Sequence, residues 1–296
     1  MNLSWEDVRV FLAIAEAGSL SGAARQLGLG QPTVSRRLAQ LEDDLGLPLF
    51  RRSVEGASLT AAGERWVEPA RRMAEWAAEV ERVAEGEDVG PRGVVRVTAP
   101  PGLAFHFMAP FAASLRETLP DIDLQVISQI RYVDLARREA DLALRIEPTG
   151  PRDLETLVSL ELENVACAAP EYAAKLAPGY GVADVDWIGW APPFDHLPPN
   201  PQLAALVPGF RPAFASDDFL VQWRAAEAGL GAMMLNPMPH RLAPPRTLVP
   251  LELDFGLHAR SRLHLVAARS ALRVPRVEAV ASRLVEELEA TGLGQR

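Results

Sequence analysis

Apolar residues recur with helical spacing from the start of the chain. Val8, Phe11, Leu12 and Ala15 fall at i, i+3, i+4 and i+7, which predicts an amphipathic helix ending near Gly18. Ser4 and Asp7 have capping-box spacing at its start, with Asp in place of the usual Glu or Gln. "SLSGAARQLG" predicts a second, short helix, opened by Ser19 or Ser21 and closed by Gly28. A third begins at Pro32, where proline suits a first turn, and ends before Gly46. Only "GLGQ" joins the second to the third, and a tight glycine-bearing turn between short helices is a helix-turn-helix pattern.

On the third helix, Val34, Leu38, Leu41 and Leu45 fall within about 60° of one another at ~100° per residue, so they form its buried stripe. Gln31, Pro32, Thr33, Ser35 and Arg36 then point outward from the N-terminal half, with Arg37 at the margin. Residues so placed can reach base edges or phosphates in a major groove. Glu42, Asp43 and Asp44 fill the last turn, where acids oppose the helix dipole, and this suits a plain bundle helix equally. "LPLFRRSVEGASLTAAG" alternates about a turn at Glu55-Gly56, as a short hairpin does. A hairpin after a helix-turn-helix is a wing, and Arg51 and Arg52 stand where a wing touches DNA; an ordinary hairpin would leave them solvated.

From Thr60 a long helix runs toward Glu85. Trp66, Ala70, Met73, Ala77, Val80 and Ala84 repeat as a heptad seam, widened by Trp76 and Val83, while Pro69 is expected to kink or weaken it. The seam would serve either a dimer or internal packing. "EGEDVGPRG" reads as a hinge over residues 85–93. Beyond it the period alternates: "VVRVTAP", "IDLQVIS" and "DLALRI" as strands, "FHFMAPFAASLRETL" and "YVDLARREA" as helices between them. That order predicts an α/β domain with a largely parallel sheet. "ENVACAA", "AMML" and "RLHLVAA" extend the strand pattern. "PEYAAKL", "FLVQWRAAEAGLG" and "VPRVEAVASRLVEELEA" extend the helical one. "WAPPFDHLPPNP" is a proline-rich loop with little regular structure expected.

At 296 residues, 48% hydrophobic and 23% charged, the chain suits about two globular domains. No apolar run approaches a membrane span, and "MNLSWEDVRV" lacks the basic start and apolar core of a signal peptide. One cysteine, Cys167, excludes an intramolecular disulfide, so the composition favours a cytoplasmic protein. A net charge of -9 argues against indiscriminate nucleic-acid binding. Residues 25–41, however, hold Arg25, Arg36 and Arg37 and no acid, a local basic face. His106, His196, His240, His258 and His264 are scattered without metal-ligand spacing, so no metal, cofactor or catalytic role is expected. Nucleophile elbows, phosphate loops and dinucleotide fingerprints are missing too.

"FLAIAEAGSLSGAARQLGLGQPTVSRRLAQLEDDLGLPLFRRS" followed by "LTAAGE" closely resembles the N-terminal domain of LysR-type transcriptional regulators, over about residues 4–85. "RYVDLARREADLALRI" and "AGLGAMML" resemble that family's regulatory domain. The resemblance implies a winged helix-turn-helix over 1–60, a linker and dimerisation helix with hinge over 61–90, and over 91–296 a regulatory domain like periplasmic binding proteins, with two α/β lobes. It implies base reading by Gln31, Pro32, Ser35 and Arg36, with Arg37 and Arg52 nearer the DNA backbone. It also implies a small effector held between the lobes. Carried over by position, the cleft takes Thr98, Ala99 and Pro100, then Arg145 and Ile146, then Ser216 and Asp217 at a helix start. Thr98 and Arg145 would suit a carboxylate, or else serve as an N-cap and a structural ion pair. The implied partners are a pseudo-palindromic DNA site, a second or fourth copy of the chain, and RNA polymerase.

Overall fold

In the computed structural model, which describes residues 3–53, 56–84, 90–130, 135, 140–146, 154–242 and 247–293, the predicted capping box opens the first helix. Ser4 Oγ accepts from the Asp7 N–H at 3.2 Å, and Asp7 Oδ2 accepts from the Ser4 N–H at 3.1 Å. Helix α1, Trp5–Ala17, stops at Gly18, whose φ of +63° is open to glycine at little cost. Helix α2, Leu20–Leu27, is capped by Ser19, and α3, Gln31–Leu45, starts one residue before the expected proline because Gly30 is its cap. Strands β1, Phe50–Ser53, and β2, Gly56–Leu59, pair antiparallel with Phe50 opposite Leu59, forming the predicted hairpin. Helix α4, Ala61–Ala84, carries Pro69 in its interior.

These elements close around Val8, Phe11, Ile14, Val34, Leu38 and Leu49, all at 0–1% exposure. Burying each such side chain contributes about 1.5–3 kcal/mol. Trp66 sets its edge against Phe11 at 5.8 Å, and Ala70 is buried beside it. Residues 1–90 form one compact unit and 91–296 a second. Among the described residues no helix is long and apolar enough to cross a membrane.

The second unit begins with β3, Gly93–Ala99. A short helix α5, Pro101–Leu103, passes through one π-helical turn, Ala104–Met108, into α6, Ala109–Thr118. Then come β4, Ile122–Ser128; β5, Leu142–Arg145; and β6, Leu154–Glu163. The chain continues through β7, Val165–Ala168; α7, Pro170–Ala173; β8, Ile188–Trp190; α8, Asn200–Leu206; β9, Phe214–Ser216; α9, Phe219–Glu227; β10, Ala232–Leu235; and β11, Val249–Pro250. It ends with β12, Arg260–Ala268, and α10, Pro275–Glu289. The expected helix at "YVDLARREA" lies almost wholly outside the described residues, as do 85–89 of the expected hinge.

Two lobes result. The larger has a five-stranded sheet in the order β4-β3-β5-β12-β6; the other has β10-β7-β11 and the pair β8-β9. The expectation of a largely parallel sheet is corrected here. β3 is parallel to β4 and β5, but β12 runs antiparallel to both β5 and β6, with His264 opposite Arg145 and Ser159. β7 is antiparallel to both of its neighbours as well. The reason is that β12 enters the first sheet only after the chain has crossed to the second lobe and returned. At the crossing Asn164 Nδ2 donates to the Ala259 carbonyl at 3.0 Å, tying the outgoing and returning segments together.

Candidate functional site

In the first unit the candidate interface is built on α3. Val34 and Leu38 are fully buried and Leu41 nearly so, and this anchors one side of the helix. Gln31, Pro32 and Arg36 are exposed, while Thr33, Ser35 and Arg37 are half-buried. Arg37 reaches back to α1 and pairs with Glu6 at 3.3 Å. On the hairpin Arg51 is exposed opposite Ser58; the Arg52 side chain lies outside the described residues.

The acidic end of α3 has a structural task that spacing did not reveal. Glu42 Oε1 accepts from the Leu49 N–H at 2.7 Å and the Phe50 N–H at 3.0 Å, so it fastens the strand entry beneath the helix. Asp44 Oδ1 accepts from Gln40 at 3.0 Å. Thr60 ties the other strand end back by donating to the Pro48 carbonyl at 2.8 Å. The predicted seam on α4 divides in two. Trp66 and Ala70 belong to the core of this unit, which corrects their place in a surface seam, whereas Met73 and Val80 are exposed and Ala77 is half-buried. The seam residue Ala84 and its neighbour Val83 have side chains outside the described residues.

In the second unit a cavity of about 270 Å³ lies at the carboxyl ends of β3, β5 and β8, the side of an α/β sheet where ligands gather. Pro100 and Ile146 line it. Thr98 and Ala99 do not: both are buried in the larger lobe, and the next helix is capped by Pro100 instead. Arg145 is also buried within the sheet rather than at the cavity wall. Asp218, not Ser216 or Asp217, caps α9, accepting from the Leu220 and Val221 N–H groups. Ser216 instead accepts from the Asp218 N–H at 3.1 Å, and Asp217 borders a separate, shallower depression.

The side chains that do shape the cavity come from segments far apart in the chain. The π-helical turn presents His106 and Phe107, α9 presents Phe219 and Trp223, and the stretch after β10 presents Asn236 and His240. The His106 ring stands 4.3 Å from Trp223, and the His240 ring meets Phe107 edge-on at 5.3 Å. Burial lowers the His106 pKa below its usual 6.5, and the neighbouring His240 lowers it further. Burial lowers His240 too, against the opposing pull of the His106 backbone and Glu287. Both imidazoles are therefore neutral at neutral pH. No local motif marks these residues; a π-helical turn is the one feature that often accompanies a site, and it too is invisible in the sequence.

Residues 5–64 match the family described as bacterial regulatory helix-turn-helix protein, lysR family, and residues 88–289 match the LysR substrate binding domain. The HTH-type transcriptional regulator CrgA of Neisseria meningitidis is 34% identical over 177 residues, 59% of this chain and 58% of that protein. The aligned stretch thus spans little more than half the length of that relative. The solved structure of CrgA, a LysR-type transcriptional regulator, superposes with a TM-score of 0.55 at 25% identity, covering 97% of this chain and 99% of its own. A full-length OxyR variant from Pseudomonas aeruginosa shares the fold, with a TM-score of 0.63 at 18% identity over 99% of this chain and 97% of that one. So does full-length CbnR, solved in complex with its target DNA, at 0.60 and 18% over 98% and 100%. Because the two family models together match most of its length, the chain belongs to the LysR family of bacterial regulatory helix-turn-helix proteins.

Proposed function

We propose that this protein is a sequence-specific DNA-binding transcriptional regulator whose second unit answers to a small-molecule effector. Residues 1–60 read DNA, 61–90 pair the subunits and 91–296 sense the effector. The observation that carries the reading is α3. Its buried stripe fixes the helix against the core, and Arg36 stands exposed with Gln31 and Pro32 on the outer face of the N-terminal half. Such a face enters a major groove and meets base edges. Thr33 and Ser35 supply further polar contacts, while Arg37, Arg51 and Arg52 approach phosphates. CbnR, a protein of the same fold, has been solved on its target DNA.

The protein works as a homodimer, or as a tetramer of two dimers, on a pseudo-palindromic site, with Met73, Ala77 and Val80 as the seam. It acts in the cytoplasm and touches RNA polymerase at the promoters it controls. Its effector occupies the cavity between the lobes, and preference for one lobe arrangement shifts the DNA-binding equilibrium. The test is selection of genomic fragments by the full chain, followed by titration of a selected duplex. Arg36→Ala loses about 5- to 150-fold in affinity if Arg36 makes one bidentate base contact. A variant that binds as tightly as the parent overturns the assignment.

A further inference from the structure

The arginine-bearing hairpin of the first unit is held at both of its ends. A two-stranded hairpin is marginal on its own in water, so what docks it decides where its side chains stand. At the base, Glu42 accepts from the Leu49 and Phe50 N–H groups, and the Thr60 N–H donates to the Leu49 carbonyl at 2.9 Å. At the far end Gly56 pairs with Ser53 across the hairpin. There the Ala57 N–H donates out of the strand pair, to the Gly18 carbonyl at 2.8 Å. Gly18 ends α1, and the next residue, Ser19, caps α2. One carbonyl thus joins the wing to the turn that opens the helix-turn-helix. Gly56 makes this approach possible. Its φ is +139°, which residues with a Cβ rarely adopt, and a Cβ there would fall less than 3.0 Å from the Gly18 oxygen, a backbone atom with no rotamer to yield. Arg51 and Arg52 lie on β1 between the two anchors, opposite Ser58 and Ala57.

We propose that Gly56 is a positioning residue for DNA binding. By letting β2 close on Gly18 it registers the wing to the helix-turn-helix, so that Arg51 and Arg52 reach phosphates while α3 lies in the groove. The proposal rests on the reading of residues 1–60 as the DNA-binding unit and adds a residue that touches no DNA itself. A side chain at position 56 pushes β2 off Gly18, and the arginines move with it, since the ladder ties β1 to β2. Helix α3 keeps its own anchor, the stripe of Val34, Leu38 and Leu41. The loss therefore falls on phosphate contacts, which carry the salt dependence, and not on base reading.

Titration of a duplex selected from genomic fragments with the full chain, over about 50 to 200 mM salt, tests it. Each phosphate contact contributes about 0.9 to the slope of log affinity against log salt. Gly56→Ala is expected to reduce that slope by about one, as Arg51→Ala does, and to weaken binding about threefold or more at the lowest salt. In the double variant, Arg51→Ala should add less than about 1.5-fold to the loss from Gly56→Ala, because the contact is already gone. Val8→Ala, which thins the core on α1, should lower the melting temperature and leave the slope unchanged. An unchanged slope in Gly56→Ala or in Arg51→Ala, or additive losses in the double variant, overturns the proposal. Should Gly56→Ala fail to fold, residue-resolved hydrogen exchange of the parent decides the matter. An Ala57 amide about tenfold or more slower than in the unfolded chain supports the anchor, and the unprotected rate overturns it. Arg36→Ala separates the two readings. A parent that binds no selected duplex sinks the DNA-binding reading and the wing anchor with it. A parent weakened by Arg36→Ala, with the slope of Gly56→Ala unchanged, sinks only the anchor.

Discussion

Replacing Glu42 with alanine removes the acceptor of two backbone N–H groups, Leu49 at 2.7 Å and Phe50 at 3.0 Å. Both residues are buried, at 0% and 5% exposure, so water does not take over while the strand entry stays docked. A hydrogen bond to a charged acceptor contributes about 1.5–3 kcal/mol. Both donors share one oxygen, Oε1, so the pair is worth less than twice that, about 2–3 kcal/mol. At about 1.4 kcal/mol per factor of ten, amides of residues 47–53 should exchange roughly 30- to 150-fold faster. The assay is native-state hydrogen exchange read by mass spectrometry on that peptide of the full chain. Glu42→Gln keeps a neutral acceptor and should lose about half the free energy. Asp43→Ala, at an exposed position without such contacts, should change nothing. If Glu42→Ala exchanges within threefold of the parent, the acid is not what holds the hairpin to α3.

The two halves of α4 should respond differently to substitution. Trp66→Ala opens the core around Phe11 and should cost about 3 kcal/mol in urea unfolding. Val80→Glu, at 66% exposure, should leave stability within about 0.5 kcal/mol and lower the sedimenting mass; unchanged sedimentation removes Val80 from the subunit seam. Gly63→Ala would normally stabilise a helix by up to about 1 kcal/mol. Here its Cβ would stand 2.2 Å from the Leu49 carbonyl oxygen, so the melting temperature should fall, and a rise would refute the close approach. Burial lowers His106, His240 and His264 below 6.5, so the unfolded chain binds more protons between those lowered values and 6.5. Stability is therefore full above pH 6.5 and is lost as pH falls through that window. The urea midpoint should drop more from pH 7.5 to 5.5 in the parent than in a variant with all three replaced by Gln, and an equal drop would contradict it.

The elements that the sequence determined by itself are those set by neighbours within a turn or two. Ser4 and Asp7 announce the start of α1, glycines at 18, 28 and 46 its end and those of α2 and α3, and the stripe Val34, Leu38, Leu41 tells which way Arg36 faces. Caps, tight turns and helical periodicity are local physics, so α3 and its outward face were legible without coordinates. Tertiary structure alone decided where partners lie far along the chain. Glu42 looked like an ill-placed acid until Leu49 and Phe50 came beneath it. Trp66 and Val80 share one heptad pattern, yet α1 covers only the first, because periodicity gives a face and not what packs on it. The returning strand β12 runs antiparallel, since pairing direction depends on where the chain re-enters the sheet. The cavity follows the same rule: His106, Asn236 and His240 carry no common motif, and only the folding together of two lobes makes them neighbours.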